Sequence, residues 1–350
     1  MRGSIRLFKI FGISINVHIT FFLLLVLVLS GGVRWLFLVG AVFFFVTLHE
    51  ICHSLAARRF GIKVREITLF PIGGIASIAK VPEKPAQELF ISLAGPAFNI
   101  LVILVFFFPA KIILGPEVLF HPLSTDSWPL TVAYVYWINL VLAVFNLLPA
   151  FPMDGGRVLR ALLATRLGYQ KATKIAVALG HVFALVFAYI GIVRFNVILI
   201  VISVFIYMAA SNEELQVDIK ETLKKFKVCD ILPRDFLTVT PDVSLSKVLE
   251  LVFHSHQEDF PVLEDGELIG FISRQDIMKA VHRHGTAVKV SEIMRRKFPV
   301  AKDTDSLMKV HNLMRDSSTR AMPVMKGPRV VGVVTLEDIS RVYAMVSHAA

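Results

Sequence analysis

Apolar residues in the first 210 positions fall in long unbroken runs, separated by short loops rich in Arg and Lys. The runs lie at about 17–29, 35–53, 89–108, 130–148, 176–193 and 197–210. A membrane-crossing helix takes about 20 apolar residues, so the pattern predicts about six spans, the first, fifth and sixth with soft edges. Only Arg194, Phe195 and Asn196 separate the last two, which predicts a tight hairpin. Ile5 to Val17 has β character. Between the second and third runs, IKVREITLFPIGGIASIAKV alternates partly and holds Pro71 and Gly73-Gly74. That segment predicts a β-hairpin or small sheet. Irregular backbone cannot face lipid unpaired. The hairpin therefore lies at the interface or dips into a protein-lined cavity, with an ordinary cytoplasmic hairpin as the equal alternative.

The pattern changes abruptly at Ser211. SNEELQVDIKETLKKFK is charged and helix-forming, with Ser211 or Asn212 as an N-cap ahead of Glu213 and Glu214. It reads as a connector to a water-soluble tail. The tail aligns with itself without a gap: VCDILPRDFLTVTPDVSLSKVLELV from Val228 lies over VSEIMRRKFPVAKDTDSLMKVHNLM from Val290, an offset of 290 − 228 = 62 residues. Pro261-Val262 falls on Pro323-Val324, and GFISRQDI from Gly270 on GVVTLEDI from Gly332. Each unit reads as strand, helix, strand, strand, helix, and such self-similarity marks a tandem pair. The predicted fold is thus an α-helical multi-pass membrane protein with a short β element, followed by a tandem α/β module. The boundaries predicted are a membrane domain over 1–212, a helical linker over 213–226, and repeats over 227–285 and 286–350.

Composition agrees with lipid solvation. The chain of 350 residues is 55% apolar and 18% charged, with a mean hydropathy of +0.67, against about 25% charged for an average soluble domain. The net charge of +10 is spread beside apolar spans rather than in one aromatic-studded patch, which argues against nucleic acid as a partner. One set of loops carries Arg2, Arg6, Lys9, Arg58, Arg59, Lys63, Arg65, Lys80, Lys84, Arg157, Arg160, Arg166, Lys171 and Lys174; the opposite set carries Arg34, Lys111 and Arg194. Positive loops stay inside, so both termini and the tandem module are expected in the cytoplasm. Cys52 and Cys229 imply no disulfide framework. No small-residue cleavage site follows the first apolar segment, which is expected to be retained.

The second span ends in HEICH. His49 and His53, at i and i+4, share one helix face and suit zinc, and Glu50 can accept a proton from a water at such a metal. Ionisable groups in apolar territory are costly unless they perform a task. Zinc in hydrolytic sites takes three protein ligands, and few candidates remain: His18, His181 and Asp154. Asp154 lies in NLLPAFPMDGGR, where Pro149, Pro152, Gly155 and Gly156 break the helix after the fourth span. A broken helix at membrane depth lines protein or water, which makes Asp154 the leading third ligand. Its alternative use is to cap the following helix. His18 reads as an interfacial hydrogen-bonded residue, and His181 as a helix-linking one.

HExxH on the second span, the Gly-Gly hairpin and NxxPxxPxDG after a later span together resemble the site-2 protease family of intramembrane zinc metalloproteases. The branch that carries CBS domains, including sporulation-factor proteases, looks closest. The resemblance implies His49, His53 and Asp154 as zinc ligands, Glu50 as general base, and Asn146 as a residue that positions substrate or supports the oxyanion. AGPAFN, from Ala94 to Asn99, matches the family's GPxxN signature; small residues there allow close packing and Asn99 can bond across helices. The tandem units resemble CBS domains on Gly270 to Asp276 and Gly332 to Asp338. In that family the Ser/Thr and Asp reach ribose, which nominates Ser273, Asp276, Thr335 and Asp338 for an adenine nucleotide (ATP, ADP or AMP). The alternative is that Asp276 and Asp338 only cap helices. The activity implied is cleavage of membrane-anchored protein segments, tuned by nucleotide, in a homodimer or higher homo-oligomer. A CBS-regulated transporter or channel is the alternative, but it has no use for the zinc-type constellation. A prenyl-peptide-processing protease would need a downstream glutamate in a late span, and none is present.

Overall fold

Alternating apolar positions at the start of the chain produce strands before the apolar runs produce helices. The computed structural model describes residues 3–29, 31–71, 73–78, 84–120, 127–233, 235–255 and 257–349. The chain divides into two compact units, Met1–Leu215 and Gln216–Ala350. In the first, β1 (Ser4–Ile10) and β2 (Ile13–His18) form an antiparallel hairpin, and the short helix α1 (Thr20–Leu29) follows. The helix α2 (Gly32–Arg59) leads into β3 (Val64–Phe70) and β4 (Gly73–Ile78). β2 pairs in parallel with β3 and β3 antiparallel with β4, so the sheet runs β1-β2-β3-β4. Its core is Ile13, Ile15 and Val17 with Ile67 and Leu69, buried against Ile51, Ala56 and Ala57 of α2.

The helices continue as α3 (Pro85–Leu114), α4 (Pro116–Phe120), α5 (Trp128–Asn146), α6 (Asp154–Leu167), α7 (Tyr169–Val193) and α8 (Val197–Lys225). Among the described residues, five helices are long and apolar enough to cross a membrane: α2, α3, α5, α7 and α8. The expected first span is the difference. Val17 is spent on β2, and α1 has only ten residues, about 15 Å at 1.5 Å per residue, half the hydrocarbon thickness. The connector also differs. No N-cap forms at Ser211 or Asn212, because α8 runs through both without a break. The change from apolar to charged composition alters what surrounds the helix and does not end it, since no Pro or Gly intervenes. Ser211 instead bonds His181 across helices, Oγ to Nε2 at 2.9 Å, and His18 at the end of β2 bonds Thr20, Nδ1 to Oγ1 at 2.9 Å. Arg2 and Lys80 of the basic loops fall outside the described residues.

In the second unit the two repeats bury equivalent residues. The first comprises α9 (Leu245–His254), β5 (Phe260–Glu264), β6 (Glu267–Ile272) and α10 (Arg274–His284). The second comprises α11 (Val290–Ile293), β7 (Ala301–Lys302), α12 (Leu307–Ser317), β8 (Ala321–Lys326), β9 (Arg329–Thr335) and α13 (Leu336–Ala349). Leu245, Val248, Val262 and Ile277 fill one core; Leu307, Val310, Val324 and Ile339, the matching positions, fill the other. The leading strand of each unit is short. It is β7 in the second repeat and shrinks to a single parallel bridge, Val239 to Val262, in the first.

Candidate metal centre and clefts of the tandem repeat

One turn of α2 separates His49 from His53, and both side chains are buried on the same face. Asp154 comes from the first turn of α6, after a loop whose Phe151 and Met153 are 1% and 3% exposed. The backbone N–H of Phe151 donates to Ala176 O at 3.2 Å, which ties the loop to α7. Met153 occupies the N-cap position, so Asp154 is not the cap. Its Oδ2 turns to the histidines instead, 3.1 Å from His49 Nε2 and 3.0 Å from His53 Nε2. The two Nε2 atoms are 3.0 Å apart.

The donor chemistry fits zinc. His49 Nδ1 lies 2.6 Å from Asn99 Oδ1 and His53 Nδ1 lies 2.7 Å from the Ile91 carbonyl oxygen. Both partners only accept, so the Nδ1 atoms carry the protons and both Nε2 lone pairs face the carboxylate oxygen. Three electron-rich atoms converging at about 3 Å repel unless a cation lies between them. Ligands about 2.0–2.1 Å from a tetrahedral zinc would stand roughly 3.3 Å apart, close to the spacing found. Asn99 is itself held, its Nδ2 donating to Asn139 Oδ1 at 3.1 Å, and Asn139 donates to the Val135 carbonyl at 3.1 Å. Such outer partners orient ligating imidazoles.

Two close approaches shape the centre. A Cβ on Gly95 would stand 2.3 Å from His53 Nε2 and 2.5 Å from His49 Nε2, so only glycine lets α3 lie against the ligand pair. A Cβ on Gly74 would stand 2.9 Å from Glu50 Cγ, so β4 passes directly over Glu50. Asn146 is half-buried at the last residue of α5. In sequence Asn99 is a helix-packing amide; its bond to His49 and the Asn139 relay come from the fold. So does the Ile91 carbonyl.

In the second unit, Ser273 and Asp276 form a capping box at α10: Asp276 Oδ2 accepts from Ser273 N at 3.1 Å and Oγ at 2.5 Å. Thr335 and Asp338 repeat it at 3.0 and 2.7 Å. The pairs differ in their remaining oxygens. Asp276 Oδ1 accepts from Arg295 Nε and Nη2 at 3.0 and 2.8 Å, whereas Asp338 has Arg341 at 3.9 Å. Two clefts flank them. One of about 880 Å³ holds Ser273, Lys279, Arg295, Lys297 and Arg320 among its walls. The other, of about 500 Å³, holds Asp235, Glu258, Glu337, Asp338 and Arg341. Asp259 lines both. Burial pushes its carboxyl up to about 6, against the N–H of Arg274 that favours the charged form.

Comparison with known proteins gives the family of the chain. Residues 37–118 and 117–187 match the Peptidase family M50 profile, and residues 228–283 and 290–344 match the CBS domain profile. Zinc metalloprotease MJ0392 of Methanocaldococcus jannaschii is 36% identical over 347 residues, 97% of this chain and 96% of its own. Rip3 of Mycobacterium tuberculosis is 29% identical over 97% of this chain and 93% of its own. The solved site-2 protease from Methanocaldococcus jannaschii is 40% identical over 60% of this chain and 95% of its own, with a TM-score of 0.48. The similarity to MJ0392 runs through both units, which sets aside the transporter alternative: the chain is a membrane zinc metalloprotease of Peptidase family M50, with a C-terminal pair of CBS domains.

Proposed function

We propose that the protein is an endopeptidase that cuts membrane-embedded segments of other proteins, with His49, His53 and Asp154 as the zinc ligands and Glu50 as the general base. The observation that carries this reading is the convergence of two Nε2 atoms and Asp154 Oδ2 within about 3 Å, beside a helix long enough to span the bilayer. Zinc, when bound, lowers the pKa of water toward about 7 and polarises a scissile carbonyl. Glu50 accepts the proton of the attacking water and passes it to the leaving amine. Asn99 and the Ile91 carbonyl hold the two imidazoles in the tautomer that presents Nε2. Asn146, at the end of α5, donates to the oxygen on which charge develops.

A helical substrate hides its peptide carbonyls and has to be opened first. β4 ends the four-stranded sheet and lies over Glu50. An extended substrate segment added to that edge would be held by backbone bonds next to the proton acceptor. Loop charge favours both termini and the CBS pair on the cytoplasmic side. The CBS clefts are read as adenine nucleotide sites: the Ser273–Asp276 and Thr335–Asp338 pairs are the ribose acceptors, and Lys297 and Arg320 suit phosphate. Homo-oligomers built on that pair fit the same reading, and the domain limits follow as 1–212, 213–226, 227–285 and 286–350. The test of the protease reading is Glu50→Gln. The variant keeps zinc and accumulates an uncleaved membrane-anchored partner; turnover equal to the parent overturns the mechanism.

A further inference from the structure

A second charged cleft lies away from the metal centre, in the first unit. It has a volume of about 540 Å³ and is walled by the β1–β2 turn, the end of α2 and the start of β3. Among the described residues, Arg6, Lys9, Arg58, Lys63 and Arg65 line it, and no acidic side chain does. Arg6 Nη2 donates to Ser14 Oγ at 2.6 Å and Arg58 donates to the Phe11 carbonyl, so two cations are fixed by neutral groups. Among the described residues no carboxylate pairs with any of the five. The neighbouring Glu66 is engaged by Asn16 Nδ2 at 2.7 Å. Five like charges held together repel one another unless an anion joins them.

The surface beside the cleft is apolar. Ile5, Leu7 and Phe8 on β1, and Phe11 in its turn, are 47–66% exposed, in the same strand and turn that supply Arg6 and Lys9. A strand with Ile, Leu and Phe facing water invites aggregation. At the end of a spanning helix, however, such residues meet the headgroup and upper acyl region. Arg6 and Lys9, paired with Asn16 and Ser14, lie on the cleft side of this edge strand. Ile5 and Phe8, paired with Val17 and Ile15, lie on its other face. The exposed Phe11, whose carbonyl accepts from Arg58, adjoins the cleft at the turn. A cationic cleft beside an edge strand and turn with exposed apolar side chains matches one molecule, with a phosphate at one end and hydrocarbon at the other.

We propose that this cleft binds the headgroup phosphate of an anionic phospholipid, whose acyl chains run past Phe11 and cover the apolar edge of β1. Arg58 and Arg6 supply fixed donors, and Lys9 and Lys63 supply mobile charge. The lipid would then anchor the edge of the sheet opposite β4, through the order β1-β2-β3-β4.

The test uses the full chain, purified in a neutral detergent, with bound lipid counted by native mass spectrometry. The probes are short-chain phosphatidylglycerol, phosphatidylcholine with the same chains, and inorganic phosphate. Lys9→Glu/Lys63→Glu reverses two charges whose side chains make no hydrogen bond among the described residues, and Arg166→Glu/Lys171→Glu reverses two exposed cations outside the cleft. The expected result is phosphatidylglycerol retained over phosphatidylcholine, with affinity lowered about tenfold or more in the first variant only. Zinc retention in that variant reports an intact fold. Equal losses in both variants, or equal retention of the two lipids, overturns the proposal. Inorganic phosphate displacing phosphatidylglycerol at equal concentration would assign a free phosphate and also contradict it.

Discussion

Arg160 Nε donates to Glu88 Oε1 at 2.9 Å, and both side chains are buried, 2% and 3% exposed. The same guanidinium reaches Glu213 of α8 at 2.7 Å and lies 4.7 Å from the ring centres of Phe151 and Tyr169. One side chain thus joins α3, α6 and α8 beneath the loop that delivers Asp154. Removing one partner of a buried pair leaves a charge without compensation and costs about 3–5 kcal/mol, whereas replacing both with apolar groups is often neutral. Arg160→Met is expected to lower Tm sharply. Glu88→Leu/Arg160→Met recovers most of the loss, with Glu213 remaining at the rim, 28% exposed. An unchanged Tm in the single variant would contradict this role.

The edge of β4 can be read by proline, which removes a backbone donor. Phe70 and Gly73 close a two-residue turn as a hydrogen-bonded pair, and such pairs alternate along the ladder, so Ile75 and Ser77 face Thr68 and Glu66 of β3 while Ala76 faces the open edge. Ala76→Pro is expected to slow cleavage about tenfold, the worth of roughly one hydrogen bond, with zinc retained. Ile75→Pro or Ser77→Pro is expected to lower Tm by breaking the ladder to β3. Cleavage unchanged in Ala76→Pro rules out strand addition at this edge.

Asp259 contributes to the pH dependence of the CBS unit. Its carboxyl titrates at about 6 when folded, against an ordinary 3.8. The folded form therefore holds a proton that the unfolded form has released between those values. Stability is highest below about pH 4 for this group and falls as pH rises to 6, by on the order of 1–3 kcal/mol. Asp259→Asn keeps an oxygen for the Arg274 N–H, now at 3.1 Å from Oδ1. The variant is expected to raise the Tm of the CBS transition at pH 7.5 and leave it unchanged at pH 4. A lower Tm at pH 7.5 would contradict the assignment.

Much of this was legible in the sequence because the chemistry is local. The i, i+4 spacing of His49 and His53 places both on one face, the Pro and Gly residues around Asp154 stop a helix, and the 62-residue offset aligns whole cores. The hairpin over 64–78 followed from alternation and Gly73-Gly74. What escaped depends on partners far apart in the chain. Asn99 could be seen as a helix-bridging amide, but only packing at Gly95 brings it to His49. Arg160 read as one more cytoplasmic cation; Glu88 and Glu213 are 72 and 53 residues away and turn it inward. Residues 211–212 looked like a helix start because Ser and Asn there resemble caps, yet no breaker precedes them and α8 continues. Val17 looked like the start of a span because hydropathy cannot separate a buried strand from a buried helix turn.

The most direct test of the account is the zinc content of the purified full chain, measured for the parent, Glu50→Gln and Asp154→Ala. The parent and Glu50→Gln are predicted to hold about one zinc each, with cleavage lost only in the latter of the two. Asp154→Ala is predicted to lose most of its zinc together with cleavage. Full zinc in Asp154→Ala would contradict the three-ligand centre on which the account rests.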